Sequence, residues 1–598
     1  MNAVKSSTLA LAALGLFAAA SWQQQALTRN ATAAKLIDDQ PLHDAPSEVM
    51  AASATLGAFR GLAANWLWLR SIRMQDEQRY HESYELGLWA VRLQPRCASA
   101  ASYLSWNMAY NISVALPSPK ERWFWVRRGI SILRDEALVW NPEDDKLYHQ
   151  LGWTFQHKMG QNLDDANRYY KTQWSREMQA LLNGGYPDWQ GYIDLPLSQN
   201  LLDARLHKEK LGGLEAVLKA SRLEWKVLIE TRRAGNDLPL EVTRLIKDPR
   251  WIEITSDFID RGLKHPLDFD TLQQLLSPEL DLHKVVQSMP RPEADWALWE
   301  AEFRRSGQLP RDFTDLVSTQ LGPSRALIVN SYCDRFLRLR WMKQVYRLDP
   351  IICADIDRKY GKLDWRNSDT HGIYWGEAGL RRDPAKPDVQ LTRLVGHGLM
   401  ASFRAGRIVS YNSETTELFD WAPNIEVYDA CMKNLEDNSK EYGEAQGQTF
   451  LTALSNFQRE ALVAFWFEGP PGMEKATHCL MELRRLNPGN PEFLVSVDAF
   501  ATKEASENLN SMDEAQVKMN IGSCISQCAY WGRLGEKQRA LRYLTMAKNV
   551  YGNYTKQTQG GNKERRPLPP FDTIFENIAT EVLGSKAAAD ALRKYLTE

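Results

Sequence analysis

At 598 residues the chain exceeds what one compact core usually holds, although a protein built by stacking repeats escapes that limit. Lysine plus arginine (73) nearly balance aspartate plus glutamate (75), so the basic footprint of a nucleic-acid binder is missing and nucleic acid is not expected as a partner. The 21 tryptophans and 21 tyrosines are many, and Trp66, Trp106, Trp123 and Trp153 read as interhelix packing.

The first residues bear on location. Lys5 and the free amino group precede an apolar stretch, Thr8 to Trp22, long enough for a signal peptide and short for a membrane span of about 20 residues. Ala18-Ala19-Ala20 offers a small-x-small cleavage site, whereas Trp22 favours retention at the membrane interface. Residues 1–29 are therefore read as a signal peptide or, in preference, an uncut anchor in the cytoplasmic membrane. Further on, Leu62 to Leu69 is interrupted by Asn65 and flanked by Arg60 and Arg70, so it does not read as a span. The bulk of the chain is expected in the periplasm.

Helix pairs follow over 48–183. Ser71, Met74, Ser83 and Ala90 fall at the contact positions of a first pair, with its turn at Gln78 to Tyr80 and its end at Pro95. A longer pair runs from Ala98 to Val114 and from Pro119 to Trp140, ended by Asn141-Pro142. Next, Tyr148-His149-Gln150-Leu151-Gly152-Trp153-Thr154-Phe155, followed by Ala166 and Tyr170, fits the tetratricopeptide pattern of bulky-x2-Leu-Gly-x2-aromatic and Ala-x3-aromatic. Gly152 is expected where two helices touch. Lys146, His149, Trp153, Gln156 and His157 recur along one side of this helix, the side that lines the concave groove in stacked helix pairs. Two histidines eight apart are too far for one metal ion, but they suit a peptide-binding surface with Trp153 as its apolar anchor.

From 184 to 390 the chain becomes irregular. Gly184-Gly185, Pro187 and Pro196 mark a loop before a helical stretch, Leu201 to Arg233, and short helices are expected between Pro249, Pro266, Pro278, Pro290 and Pro292. A helix over Arg325 to Leu348 leads into Asp349-Pro350 and Asp355 to Tyr360. Beyond it Asp364, Arg366, Asp369, His371 and Glu377 supply on paper an acid, a base and a cation for general acid–base work. With no nucleophile motif or phosphate-binding turn beside them, charge pairing within the fold is the stronger reading.

Repeats return over 391–598. Ala464 and Phe467 precede a Gly-Pro-Pro-Gly turn at Gly469 to Gly472, and Ala476, Leu480 and Pro488 follow. A late unit places Cys524, Cys528 and Trp531 before a turn at Gly535, with Ala540, Leu544 and Ala547 after it. The step between the small residues of paired helices is 12 residues in three units and 14 from Gly152 to Ala166. Seven cysteines in an exported chain cannot all pair, and the spacing of Cys524 and Cys528 fits packing better than metal. No metal and no cofactor is implied.

The fold expected is all-α, a tetratricopeptide-like helix-pair solenoid. The stretches Phe59 to Ser113, Arg122 to Trp174, Leu348 to Trp375, Leu480 to Pro488 and Gly532 to Ala547 resemble an uncharacterised family of bacterial membrane-anchored envelope proteins with tetratricopeptide-like repeats at both ends. The phrases that carry the resemblance are Trp106-Asn107-Met108-Ala109-Tyr110-Asn111 and Leu363-Asp364-Trp365-Arg366. It implies a membrane segment and a helical scaffold and assigns no activity. The expectation is a non-enzymatic scaffold on the extracytoplasmic face of the cytoplasmic membrane, binding partner proteins for envelope assembly or secretion. The alternative is an envelope enzyme using Asp364 to Glu377. A lytic transglycosylase is excluded because Glu82-Ser83 lies far from Gly398-Leu399-Met400, where Ala401 replaces the glutamine that such enzymes carry next.

Overall fold

The computed structural model describes Gln23 and residues 59–193, 292–412, 417–507, 514–559 and 567–597. The stretch Thr8 to Trp22 and the helices expected between Leu201 and Pro290 lie outside the described residues. The described residues are mostly helical, with one antiparallel strand pair. Among them no helix is long and apolar enough to cross a membrane. By packing, the chain divides into two compact units: residues 1–173 with 344–347 and 378–386, and 174–343 with 348–377 and 387–598.

In the first unit, α1 (Arg60–Asp76) and α2 (Tyr80–Leu93) form a hairpin whose turn puts Gln78 at φ 61°. Ser71, Met74, Ser83 and Ala90 are buried between them, and Ser71 Oγ donates to Ser83 O at 2.7 Å. Helix α3 (Ala98–Trp106) runs on as a wider π-helix over Asn107–Ile112. Pro119, preset for a first turn, opens α4 (Pro119–Ser131), which widens likewise over Ile132–Ala137. These helices approach closely at Gly129, where an added Cβ would stand 2.8 Å from Ser105 O and 3.0 Å from Ala109 Cβ. Asp144 caps α5 (Asp145–Trp153) by accepting from Lys146 N at 3.0 Å, and α5 continues as a π-helix over Thr154–Gly160. Leu147, Leu151, Gly152, Phe155 and Met159 are buried on its inner face, and α6 (Asn167–Leu182) begins beyond Ala166. Trp123 is buried and stacks on Tyr170 with centroids 5.8 Å apart. Trp66 and Trp106 contradict the packing expected of them: they are 57% and 44% exposed.

The second unit takes the end of α6 and α7 (Trp189–Ile193), then α8 (Pro292–Ser306), α9 (Arg311–Leu321) and α10 (Pro323–Trp341). Asp349 caps α11 (Pro350–Tyr360), accepting from Ile351 N at 2.9 Å, and α12 (Ser368–Leu380) and α13 (Val389–Ala405) follow. The strand pair β1 (Arg407–Asn412) and β2 (Glu417–Ala422) sets Ile408 opposite Trp421. Helices α14 (Tyr428–Glu441) and α15 (Gly443–Phe467) lead to the Gly-Pro-Pro-Gly turn and α16 (Met473–Leu486). Ala476 and Leu480 are buried as expected, but on α15 the buried small residue is Ala461, with Ala464 only half-buried. After α17 (Val497–Glu507), α18 (Glu514–Arg533) and α19 (Lys537–Gln559) pair around Cys528, Ala540 and Ala547, turning at Gly535 with φ 81°. Helices α20 (Phe571–Leu583) and α21 (Lys586–Thr597) close this core with Phe575, Ala579 and Leu592. All seven cysteines are free thiols, and burial pushes Cys524 and Cys528 up to about 12, which makes both poor nucleophiles.

Candidate functional site

Helical periodicity puts His149, Trp153 and His157 on one line of α5 and its π-helical extension, and their rings stack face to face. The centroids lie 6.3 Å apart for His149 and Trp153, and 4.6 Å for Trp153 and His157. His157 then meets Tyr110 at 5.7 Å, and Tyr110 stacks on Trp106 at 6.4 Å. From Trp106 the row continues to Tyr103 at 6.2 Å, and from Tyr103 to Trp68 of α1 at 5.7 Å. Seven rings from three helices thus form one continuous row, with Tyr103 and Trp106 exposed and the others half-buried. A π-helical turn is wider than an α-helical one and recurs at functional positions. Here two such segments carry Tyr110 and His157 to their meeting point.

At that junction opens a pocket of about 440 Å3 lined by Tyr110, Val114, Arg122, His157, Lys158, Leu163, Asp164 and Asp165. Val114 and Leu163 are exposed at it. Asp164 is its hub: it accepts from Lys158 Nζ at 2.5 Å, Ala166 N at 2.9 Å, and Arg122 Nη1 and Tyr170 OH at 3.2 Å each. Arg122 also holds Asp165. Burial opposes ionisation of Asp164, but the hydrogen bonds from Lys158 and the Ala166 amide outweigh it and keep the carboxyl below its ordinary range. His157 is shifted downward, first by burial and then by the Lys158 charge, so its ring is neutral at neutral pH. A neutral ring allows Nδ1 to accept from Tyr110 OH at 3.3 Å.

Of the groove residues expected from sequence, the structure brings together His149, Trp153 and His157, with Lys146 exposed one turn before them. Gln156 does not join them; it is buried. The wider π turn is the reason, because it leaves a residue four positions after Trp153 nearly in line and swings one three positions after it inward. Trp68, Tyr103, Trp106, Tyr110, Lys158, Asp164 and Arg122 were not foreseen here, although Trp106 and Tyr110 stand four apart within one phrase.

The second polar cluster is closed. Asp364, Arg366, Asp369, His371 and Glu377 are all buried. Arg366 grips Asp364 through Nε to Oδ1 at 2.9 Å and Nη2 to Oδ2 at 2.7 Å, and donates on to Gln179 Oε1 at 3.0 Å and Ile408 O at 2.9 Å. Ile408 N in turn donates to Asp364 Oδ2 at 3.0 Å. His371 Nε2 donates to Trp365 O at 2.9 Å with Trp174 edge-on to its ring at 4.8 Å. Glu377 accepts from Tyr360 OH at 2.5 Å and Lys359 Nζ at 2.8 Å. Nearby Asp357 receives the indole N–H groups of Trp189 at 2.8 Å and Trp365 at 3.0 Å, and burial pushes its carboxyl up to about 6. A side chain at Gly185 would collide with the Asp364 carboxylate, so the Gly184-Gly185 loop is part of the same seal. Among the described residues no group of three or more metal-ligating side chains occurs.

No family model matches the chain, and no curated protein matches it.

Proposed function

We propose that the chain is a non-enzymatic scaffold of tetratricopeptide-like helix pairs on the extracytoplasmic face of the cytoplasmic membrane, held there by its N-terminal segment. Its ring-lined surface in the first unit gathers partner proteins for envelope assembly or secretion. The observation that carries this reading is the row of seven rings ending at the pocket of about 440 Å3. Aromatic side chains lose little rotamer freedom on binding and bury large areas, so they dominate recognition surfaces, and a pocket beside them supplies an anchor site. Small residues 12 apart and both buried, Ser71 with Ser83 and Cys528 with Ala540, support the repeat assignment.

The test is crosslinked affinity capture from envelopes with the full chain and with Trp153→Ala plus His157→Ala. Recovery of a specific protein by the full chain, lost in the double variant, supports the scaffold. Undiminished capture by the variant removes the row from the function.

A further inference from the structure

The pocket beside the ring row has spare hydrogen-bonding capacity of one kind. Asp164 is saturated: Oδ1 accepts from Ala166 N and Arg122 Nη1, Oδ2 accepts from Lys158 Nζ and Tyr170 OH, and a carboxylate offers about four such positions. Donors remain. Arg122 gives Nε to Leu116 O at 2.6 Å and Nη1 to Asp164 and Asp165, and among the described residues its Nη2 has no partner. His157, neutral and accepting from Tyr110 OH through Nδ1, carries its proton on Nε2 and is a further donor on the pocket wall. Lys158, 4% exposed, gives one bond to Asp164 and otherwise meets the rings of Tyr110 and Tyr170 at 5.3 and 5.9 Å. Two cations therefore stand against one carboxylate inside the pocket. The carboxylate that balances the second cation is Asp165, and it sits at the rim with its side chain 82% exposed. A group entering the pocket must accept hydrogen bonds, and it can take the place on Arg122 that Asp165 holds from the solvent side. Exposed Val114 and Leu163 form the apolar part of the lining, so the entering group also carries an apolar body. A volume of about 440 Å3 suits a small molecule or one terminal residue of a chain.

We propose that this pocket binds a carboxylate carried on a short apolar group, with the carboxylate on Arg122 in place of Asp165 and the apolar group against Val114 and Leu163. The carboxylate comes from a small free acid or from the last residue of a chain. Only the second source rests on the partner-binding reading above.

The full chain is titrated with hexanoate, hexanamide and hexylamine, probes of one shape and different charge, with binding read by saturation-transfer NMR. Hexanoate is expected to bind about tenfold tighter than the other two, and Arg122→Gln to weaken it by a similar factor. Asp165→Asn changes an exposed side chain and removes the competing rim carboxylate, so it is expected to tighten hexanoate about twofold to fivefold. This second variant keeps the test decisive if Arg122→Gln does not fold. An acetylated tripeptide ending in leucine, compared with its C-terminal amide, separates the sources. Displacement of hexanoate by the peptide acid alone, at concentrations below those of hexanoate, assigns the site to a chain terminus, and weaker competition assigns it to a free acid. Hexylamine binding as tightly as hexanoate, weaker hexanoate binding in Asp165→Asn, unchanged binding in a folded Arg122→Gln, or no saturable binding of hexanoate overturns the proposal. Hexanoate binding without any partner captured removes the scaffold reading and leaves this site, whereas partner capture without hexanoate binding does the reverse.

Discussion

Two charged clusters built from the same residue types behave differently in the two units. Around Asp164 in the first unit, Lys158 and Arg122 form the wall of a pocket and share it with exposed Val114 and Leu163. Around Asp364 in the second unit, Arg366 is spent on Asp364, Gln179 and Ile408, inside a shell of Trp174, Trp189 and Trp365. Lys158 and Asp164 are buried too, but they line a pocket where a ligand can meet them, whereas Arg366 and Asp364 are held by the protein around them. The cluster around Asp364, His371 included, is therefore the structural one.

The sharpest way to break this contrast is to remove the cation from each cluster. Arg366→Met leaves Asp364 buried without its cation, and the expected loss is about 3 to 5 kcal/mol of stability in urea unfolding. If the variant unfolds within about 1 kcal/mol of wild type, the cluster is not a structural clasp, and access to it must be reconsidered.

Asp357 gives the second-largest effect. Its carboxyl is raised from 3.8 to about 6 by burial, so between those values the folded chain holds more protons than the unfolded one. Stability therefore falls as pH rises through the window from about 4 to about 6 and is flat above it, by about 3 kcal/mol for this group. Asp164, held below its ordinary range, contributes with the opposite sign, and its contribution is lost only as pH falls below this window. The measurement is accordingly the difference between wild type and Asp357→Asn across the window. A difference that does not change with pH means that Asp357 is not held protonated by its surroundings.

Lys158→Met tests the open cluster. Asp164 keeps Arg122, Tyr170 OH and the Ala166 amide, so the expected cost is about 1 to 3 kcal/mol, below that of Arg366→Met. Equal costs for the two substitutions would erase the distinction between the pocket and the clasp.

What could be read in advance follows from what is local. Turn residues and small contact residues are set within one helix pair, and so Gln78, Gly535, Ser71, Ser83, Cys528 and Ala540 sit where the spacing predicts. The strand pair at Arg407–Asn412 and Glu417–Ala422 had no comparable signal, since each strand is six residues long and Arg366, distant in sequence, bonds to Ile408 O. The π-helical segments escaped as well, because an inserted widening has no residue signature, and that widening is what carried Gln156 inward. The ring row joins Trp68, Tyr103 and Trp153 from three helices, and only their packing shows it. The exposed Trp66 and Trp106 were misread for the same reason: helical spacing gives a face but not what lies beyond it.

The smallest effect on stability belongs to the row itself, and it discriminates most about function. His149, Trp153 and His157 are half-buried, and their rings stack on one another outside the α5 core formed by Leu147, Leu151 and Phe155. Trp153→Ala with His157→Ala removes that stack and leaves the core intact, so the expected loss is about 1 kcal/mol. Gly129→Ala provides the scale for a packing lesion in the same unit. Its new methyl would press on Ser105 O and Ala109, with an expected cost of about 1 to 3 kcal/mol. If the ring variant melts as Gly129→Ala does or lower, the rings are part of the core and the surface reading fails. If it melts near wild type and no longer retains the partner, the row is a binding surface whose cost in stability is small because its contacts are completed by another molecule.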